Sequence, residues 1–179
     1  MTASHPRRAL VLATITALGL LAAPAAHSDP QARPFMVSVS TQETLAPNPL
    51  ACPLSILQGT TTGQGHATHL GRVTVSSTDC VALGATQFTF TDGALVIVAA
   101  NGDQLTADYS GALLPTAAYP VYSLSGSFRI TGGSGRFSGA SGAGSLQGSS
   151  NVVTGQGAYV AKGTITYRAR ESESENLSR

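Results

Sequence analysis

From Phe35 onward, apolar side chains recur at every second position, and no segment carries the three-to-four spacing of an amphipathic helix. Phe35, Val37 and Val39 alternate with Met36, Ser38 and Ser40. The same beat returns at Phe88 and Phe90, at Leu105, Ala107 and Tyr109, at Tyr122, Leu124, Phe128 and Ile130, and at Tyr159, Ile165 and Tyr167. A period of two places successive side chains on opposite faces of a sheet, so each run reads as a strand with one face on a core. Asp92-Gly93 and Asn101-Gly102 read as hairpin turns, and the prolines of 46–53 and 113–120 mark loops. Gln58–Ser76 reads as one long strand region, with interior glycines that signal bends or close backbone approach. Ala94–Ala100 is an uninterrupted apolar run, consistent with a strand covered on both faces. Six to nine strands joined by tight turns make an antiparallel sandwich or barrel.

One motif favours a barrel. Gly63-Gln64-Gly65 with Gly71, Val73 and Thr74 matches Gly155-Gln156-Gly157 with Gly163, Ile165 and Thr166 at a constant offset. Two strands near the start and end would then occupy similar places in one closed sheet. The glycine-rich run Gly126–Leu146 invites a phosphate-loop reading, but no helix follows it, no P-loop lysine is present and no GxGxxG opens a helix. It reads instead as a hairpin whose second strand restarts at Arg136-Phe137.

The ends of the chain have different compositions. Residues 1–28 have a basic start with Arg7 and Arg8, an apolar run Ala9–Ala22 and a small-residue stretch, the layout of a secretory signal peptide. The apolar run is shorter than the ~20 residues that span a bilayer, so no membrane anchor is expected after cleavage. Residues 29–168 are then one domain. The tail 169–179, ARESESENLSR, is charged without an apolar face and is expected to be disordered. Export to a secreted or periplasmic location suits the two cysteines, Cys52 and Cys80, which are most simply read as a disulfide; two free thiols remain the alternative. Ten Lys and Arg against nine Asp and Glu give no basic excess that would recruit nucleic acid.

The side chains with chemistry are few. His66 and His69 fall on opposite faces of a strand and have no evident third ligand, so neither a metal nor a cofactor is expected. His69 shares parity with Val73 and Val75 and is expected to point into the barrel, as a hydrogen-bonded interior residue or as a ligand contact. Tyr109, Tyr122, Tyr159 and Tyr167 lie on the apolar parity of their strands, where tyrosines fill a core or line a pocket. Arg136 either anchors the glycine turn or binds an anion at the barrel mouth. Asp103 and Asp108 read as surface charges. No G-x-S-x-G elbow is complete, so nucleophilic catalysis has no support.

Three stretches together carry a family resemblance. GQGHATHLGRVTV (63–75) looks like a strand common in small exported bacterial barrels, and FTFTDGALVIVAANGDQLTADYSG (88–111) resembles their central hairpins. FRITGGSGRFSGASGAGSL (128–146) is similar to a turn shared with allene oxide cyclase-like and dirigent-like barrels. The resemblance covers most of 58–168. It implies a single all-β antiparallel barrel of about eight strands without significant helix, and a largely apolar lumen. Plant relatives use such a lumen to bind hydrophobic small molecules and steer a cyclisation or coupling, often as dimers or trimers; a homo-oligomer is therefore among the expectations. Most bacterial members with this pattern have no assigned activity, and no catalytic residue carries over.

Three readings follow. The first is a secreted barrel that binds a small apolar molecule, with His69, Tyr109, Tyr122, Tyr159 and Arg136 as candidate ligand contacts. The second is an isomerase or cyclase that uses His69 and a tyrosine. The third is a structural barrel plugged by Phe88, Phe90, Phe128 and Ile130. The volume and polarity of the lumen separate them.

Overall fold

The computed structural model describes residues 31–168. The proposed leader and charged tail lie outside the described residues. Eight strands follow one another: β1 (Arg33–Pro47), β2 (Leu57–Ala67), β3 (Gly71–Leu83), β4 (Phe88–Ala99), β5 (Gln104–Pro115), β6 (Val121–Gly133), β7 (Ser141–Asn151) and β8 (Gln156–Thr166). Each pairs with the next, and β8 returns to β1 to close the barrel. All eight pairings are antiparallel. Closure leaves no unpaired edge along the wall. The only helical element among the described residues is a three-residue 3₁₀ turn, Gly135–Phe137.

β2 and β8 are the two neighbours of β1, but the glycine motif does not mark equivalent strands: Gly63-Gln64-Gly65 lie on β2 and Gly71, Val73 and Thr74 on β3, whereas Gln156, Gly157, Gly163, Ile165 and Thr166 all lie on β8. Thr41 faces Gly63 on one side and Gly157 on the other, so the matched motifs sit two residues apart along β1 rather than level with each other. Many inward positions on β2 and β7 are glycine (Gly63, Gly65, Gly142, Gly144 and Gly148), with Leu146 the large exception on β7, while β1, β4, β5 and β6 contribute most of the large side chains.

Four local expectations are corrected. The region 58–76 is not one strand: it turns at Thr68–Leu70, where His69 takes a positive φ of 66° and Leu70 swings into the core. Asp92-Gly93 is not a hairpin turn but a bulge inside β4, where the pairing to β5 skips from Phe90 to Gly93 and Asp92 sits at φ 54°. After the glycine turn the chain makes the 3₁₀ turn at Arg136-Phe137, which buries Phe137, and the strand restarts only at Ser141. In Ala94–Ala100 the outward Val96 and Val98 are half-buried, and only the inward Leu95, Ile97 and Ala99 are buried.

The lumen has two halves. At the end where β1 begins and β8 finishes, Phe35, Val37, Ile97, Leu105, Phe128, Ile130, Phe137 and Ile165 pack into a dry core. Only a void of about 10 Å³ remains among them, about the minimum that a single water needs. Tyr167 packs on Phe137 with ring centroids 4.9 Å apart, and Arg33 lies over Tyr167, closing this floor. At the opposite end a smaller cluster, Val81, Phe90 and Leu113, surrounds an open space.

Candidate functional site

Continuing the inward parity of β1 beyond Phe35, Val37 and Val39 leads to Thr41 and then Glu43. On β3 the parity of Val73 and Val75 leads to Ser77 and then Asp79. In each strand the inward side chains change from aliphatic to hydroxyl to carboxyl as the strand climbs out of the packed core. The two carboxyls meet over β2, where Gly59 is the inward residue. A Cβ at Gly59 would run into Asp79 Oδ1 and come within 2.8 Å of Glu43 Oε1. Glycine here lets the two carboxyls come together; a larger residue would displace them.

β5 supplies the third group. The Tyr109 hydroxyl donates to Asp79 Oδ2 at 2.7 Å and lies 3.1 Å from Ser77 Oγ. The bulge in β4 makes room for it: a Cβ on Gly93 would stand 2.6 Å from the Tyr109 ring. A glycine beneath an aromatic ring on the neighbouring strand is a recurrent packing solution in curved sheets. Tyr159 enters from β8. Around these groups Phe90, Leu95, Leu113, Leu124 and Leu146 form apolar walls. About 60 Å³ of the cavity is reachable by the centre of a water molecule, room for a few waters or a small head group. Leu95, Leu146 and Tyr159 form its base, since they also cap the packed half below.

The electrostatics are one-sided. Two carboxyls and several hydroxyls line the space, and no Lys, Arg or His does. Burial, reinforced by the neighbouring Asp79, pushes the Glu43 carboxyl from 4.5 up to about 7. Burial also raises Asp79, partly offset by the hydrogen bond from Tyr109. Burial raises Tyr109 strongly and Tyr159 to about 12, so both phenols stay protonated. Asp79 is 7 % exposed, and its Oδ1 is buried with no hydrogen-bond partner.

The disulfide Cys52–Cys80 is formed, with Cα atoms 5.4 Å apart. It pins the loop 48–56 to β3 one residue beyond Asp79, at the rim of the cavity. The four loops at this mouth, 48–56, 84–87, 116–120 and 152–155, contain no charged residue. They and the adjoining strand ends expose Leu50, Leu54, Leu83, Tyr119 and Val153.

The residues singled out in the sequence do not form one group. Tyr109 and Tyr159 line the cavity. Tyr122 stands at the rim of the same end, stacked on Phe88 at 5.0 Å. His69 and Arg136 sit at the opposite, floor end. His69 does not point into the lumen, because the turn takes it off the Val73 parity; its Nε2 is 2.9 Å from Pro34 O. Arg136 donates to His69 O and lies 3.4 Å from Asp103, so it anchors the turn, away from the mouth. Phe128 and Ile130 fill the floor half, Phe90 walls the cavity and Phe88 lies at its rim, so the four do not plug the whole lumen. Glu43 and Asp79 were missed. The signal was present, since each extends the inward parity of a recognised strand.

No protein-family model matches the chain, and no curated protein matches it. Among solved structures, that of the pterocarpan synthase dirigent protein GePTS1 is similar over 81% of this chain and 94% of that one, with a TM-score of 0.50 and 10% sequence identity. At that identity the likeness is one of fold. The chain is a small β-barrel of dirigent-like fold.

Proposed function

We propose that the protein is an exported binding protein that holds a small molecule with an apolar body and a polar head in the mouth half of its barrel. The observation that carries this reading is the unpartnered Asp79 Oδ1, buried beside Glu43 in the wall of a cavity whose other sides include Phe90, Leu113 and Leu124. A buried acceptor without a partner costs about 1–3 kcal/mol, and a donor on a bound molecule would offset that cost. The uncharged, aliphatic mouth supports entry of an apolar body without desolvating charge. The signal-peptide layout of 1–28 and the disulfide support export.

One observation favours a second reading, an isomerase or cyclase. A carboxyl with a pKa of about 7 beside a more buried carboxyl and a phenol is suited to moving a proton at neutral pH. In that case Glu43, rather than His69, would be the acid–base group.

Binding is tested with the neutral apolar fluorophore N-phenyl-1-naphthylamine and a Leu124→Trp variant that fills the cavity. Enhanced fluorescence in the parent and its loss in the variant are expected. Equal enhancement in both proteins would place the dye elsewhere and overturn the reading. If binding holds, Glu43→Gln bears on the second reading: the neutral dye, which needs no carboxyl, should still bind, while an isomerase or cyclase would lose its turnover.

A further inference from the structure

We propose that the head group recognised in the cavity is a protonated amine, so that the natural ligand is a small amphipathic amine with its ammonium between Glu43 and Asp79. This rests on the lumen-binding reading above and deepens it. Three geometric observations carry it. First, two carboxyls from strands separated by β2 converge over Gly59, where the absence of a side chain lets both of them approach. Second, one oxygen at that point, Asp79 Oδ1, is fully buried and accepts no hydrogen bond, whereas its companion Oδ2 is already taken by Tyr109. That buried oxygen therefore lacks the donor it needs. Third, nothing in the cavity neutralises the pair: Glu43 from β1, Asp79 from β3, Tyr109 from β5 and Tyr159 from β8 are its titratable groups, and none is a cation.

An ammonium has three donors and no acceptor. It can satisfy Asp79 Oδ1 and Glu43 together, with a third donor left for a neighbouring hydroxyl such as Thr61 or Ser77. An alcohol brings one donor and no charge. A carboxylate would meet two acids with no compensating base. The apolar walls of Phe90, Leu113 and Leu124 then receive the body of the ligand, towards the uncharged mouth. Protons and amine compete for the same carboxyls. Binding of the cation therefore releases a proton from the pair, and affinity rises with pH until Glu43 is ionised in the free protein.

Three probes that share a phenyl body test this: 2-phenylethylamine, 2-phenylethanol and 3-phenylpropanoate. Their affinities for the full protein are measured by NMR titration between pH 5 and pH 8.5, where the amine stays charged. The amine is expected to bind about tenfold or more tightly than the alcohol at pH 8, the order of a charge-assisted hydrogen bond, with the acid binding least. The preference should shrink towards pH 5. Glu43→Gln and Asp79→Asn should each reduce the amine preference while the alcohol still binds. The Glu43 variant, nearer the rim, covers the case in which Asp79→Asn fails to fold, and the pH series on the parent needs no variant. Alcohol binding as tight as amine binding at pH 8 would overturn the amine assignment and leave lumen binding standing. Failure of all three probes to bind would overturn both.

Discussion

At the scale of single residues, the side chain that most affects behaviour with pH is Glu43. Its carboxyl titrates at about 7 in the native barrel against 4.5 in the open chain. Below pH 4.5 it is protonated in both states, and its contribution to stability is fully present. As pH rises towards 7 the unfolded chain releases the proton while the native state holds it, so stability falls and then levels off. The loss is about 2 kcal/mol once the partial exposure of Glu43 is allowed for. Denaturant titrations from pH 4.5 to 8 should show this decline, and Glu43→Gln should flatten most of it. Asp79 acts in the same direction and accounts for the residual slope. Gly59 is the second such residue. Gly59→Ala should force the carboxyls apart and lower affinity for 2-phenylethanol several-fold in the same NMR titration.

At the scale of elements, β3 and β4 set the site. The bulge at Asp92-Gly93 gives β4 the bend that lets Tyr109 of β5 lie across it. Gly93→Ala should push the ring off, break the bond to Asp79 and lower stability by about 1–3 kcal/mol, the range for overpacking; thermal melts would measure it. At the end of β3 the Cys52–Cys80 bridge closes a loop of 28 residues beside Asp79. A double Cys52→Ala, Cys80→Ala variant should lose about 3 kcal/mol by the chain-entropy estimate, measured in urea. Much of this level was readable in the sequence, because parity along a strand is a local property: Phe35, Val37 and Val39 are buried as the alternation requires. What could not be read was where alternation breaks. Asp92-Gly93 has the composition of a hairpin turn, and only the pairing to β5 makes it a bulge. His69 looked like a strand residue because the turn at Thr68–Leu70 preserves the spacing of the flanking residues.

At the scale of the whole molecule, the barrel divides its tasks between its ends. The floor half supplies stability through Phe128, Phe137 and Ile165. Phe137→Ala should cost about 3–5 kcal/mol in denaturant unfolding and leave affinity for 2-phenylethanol within about twofold, since Phe137 is remote from the mouth. The mouth half carries little packing and the converging polar groups. That division was not legible beforehand. The strands could be assigned one at a time, but which inward residues share a level depends on the stagger of all eight pairings. Hence Tyr109 and Tyr159 met in one cavity, while His69 and Arg136 fell at the far end.

The most direct test of lumen binding follows the methyl groups of the two halves by ¹³C NMR during titration with 2-phenylethanol. Shifts in Leu113, Leu124 and Leu146, with Val37, Ile130 and Ile165 unmoved, are what a ligand in the mouth half should produce. Shifts confined to methyls on the outer wall, or none at saturating ligand, would contradict it.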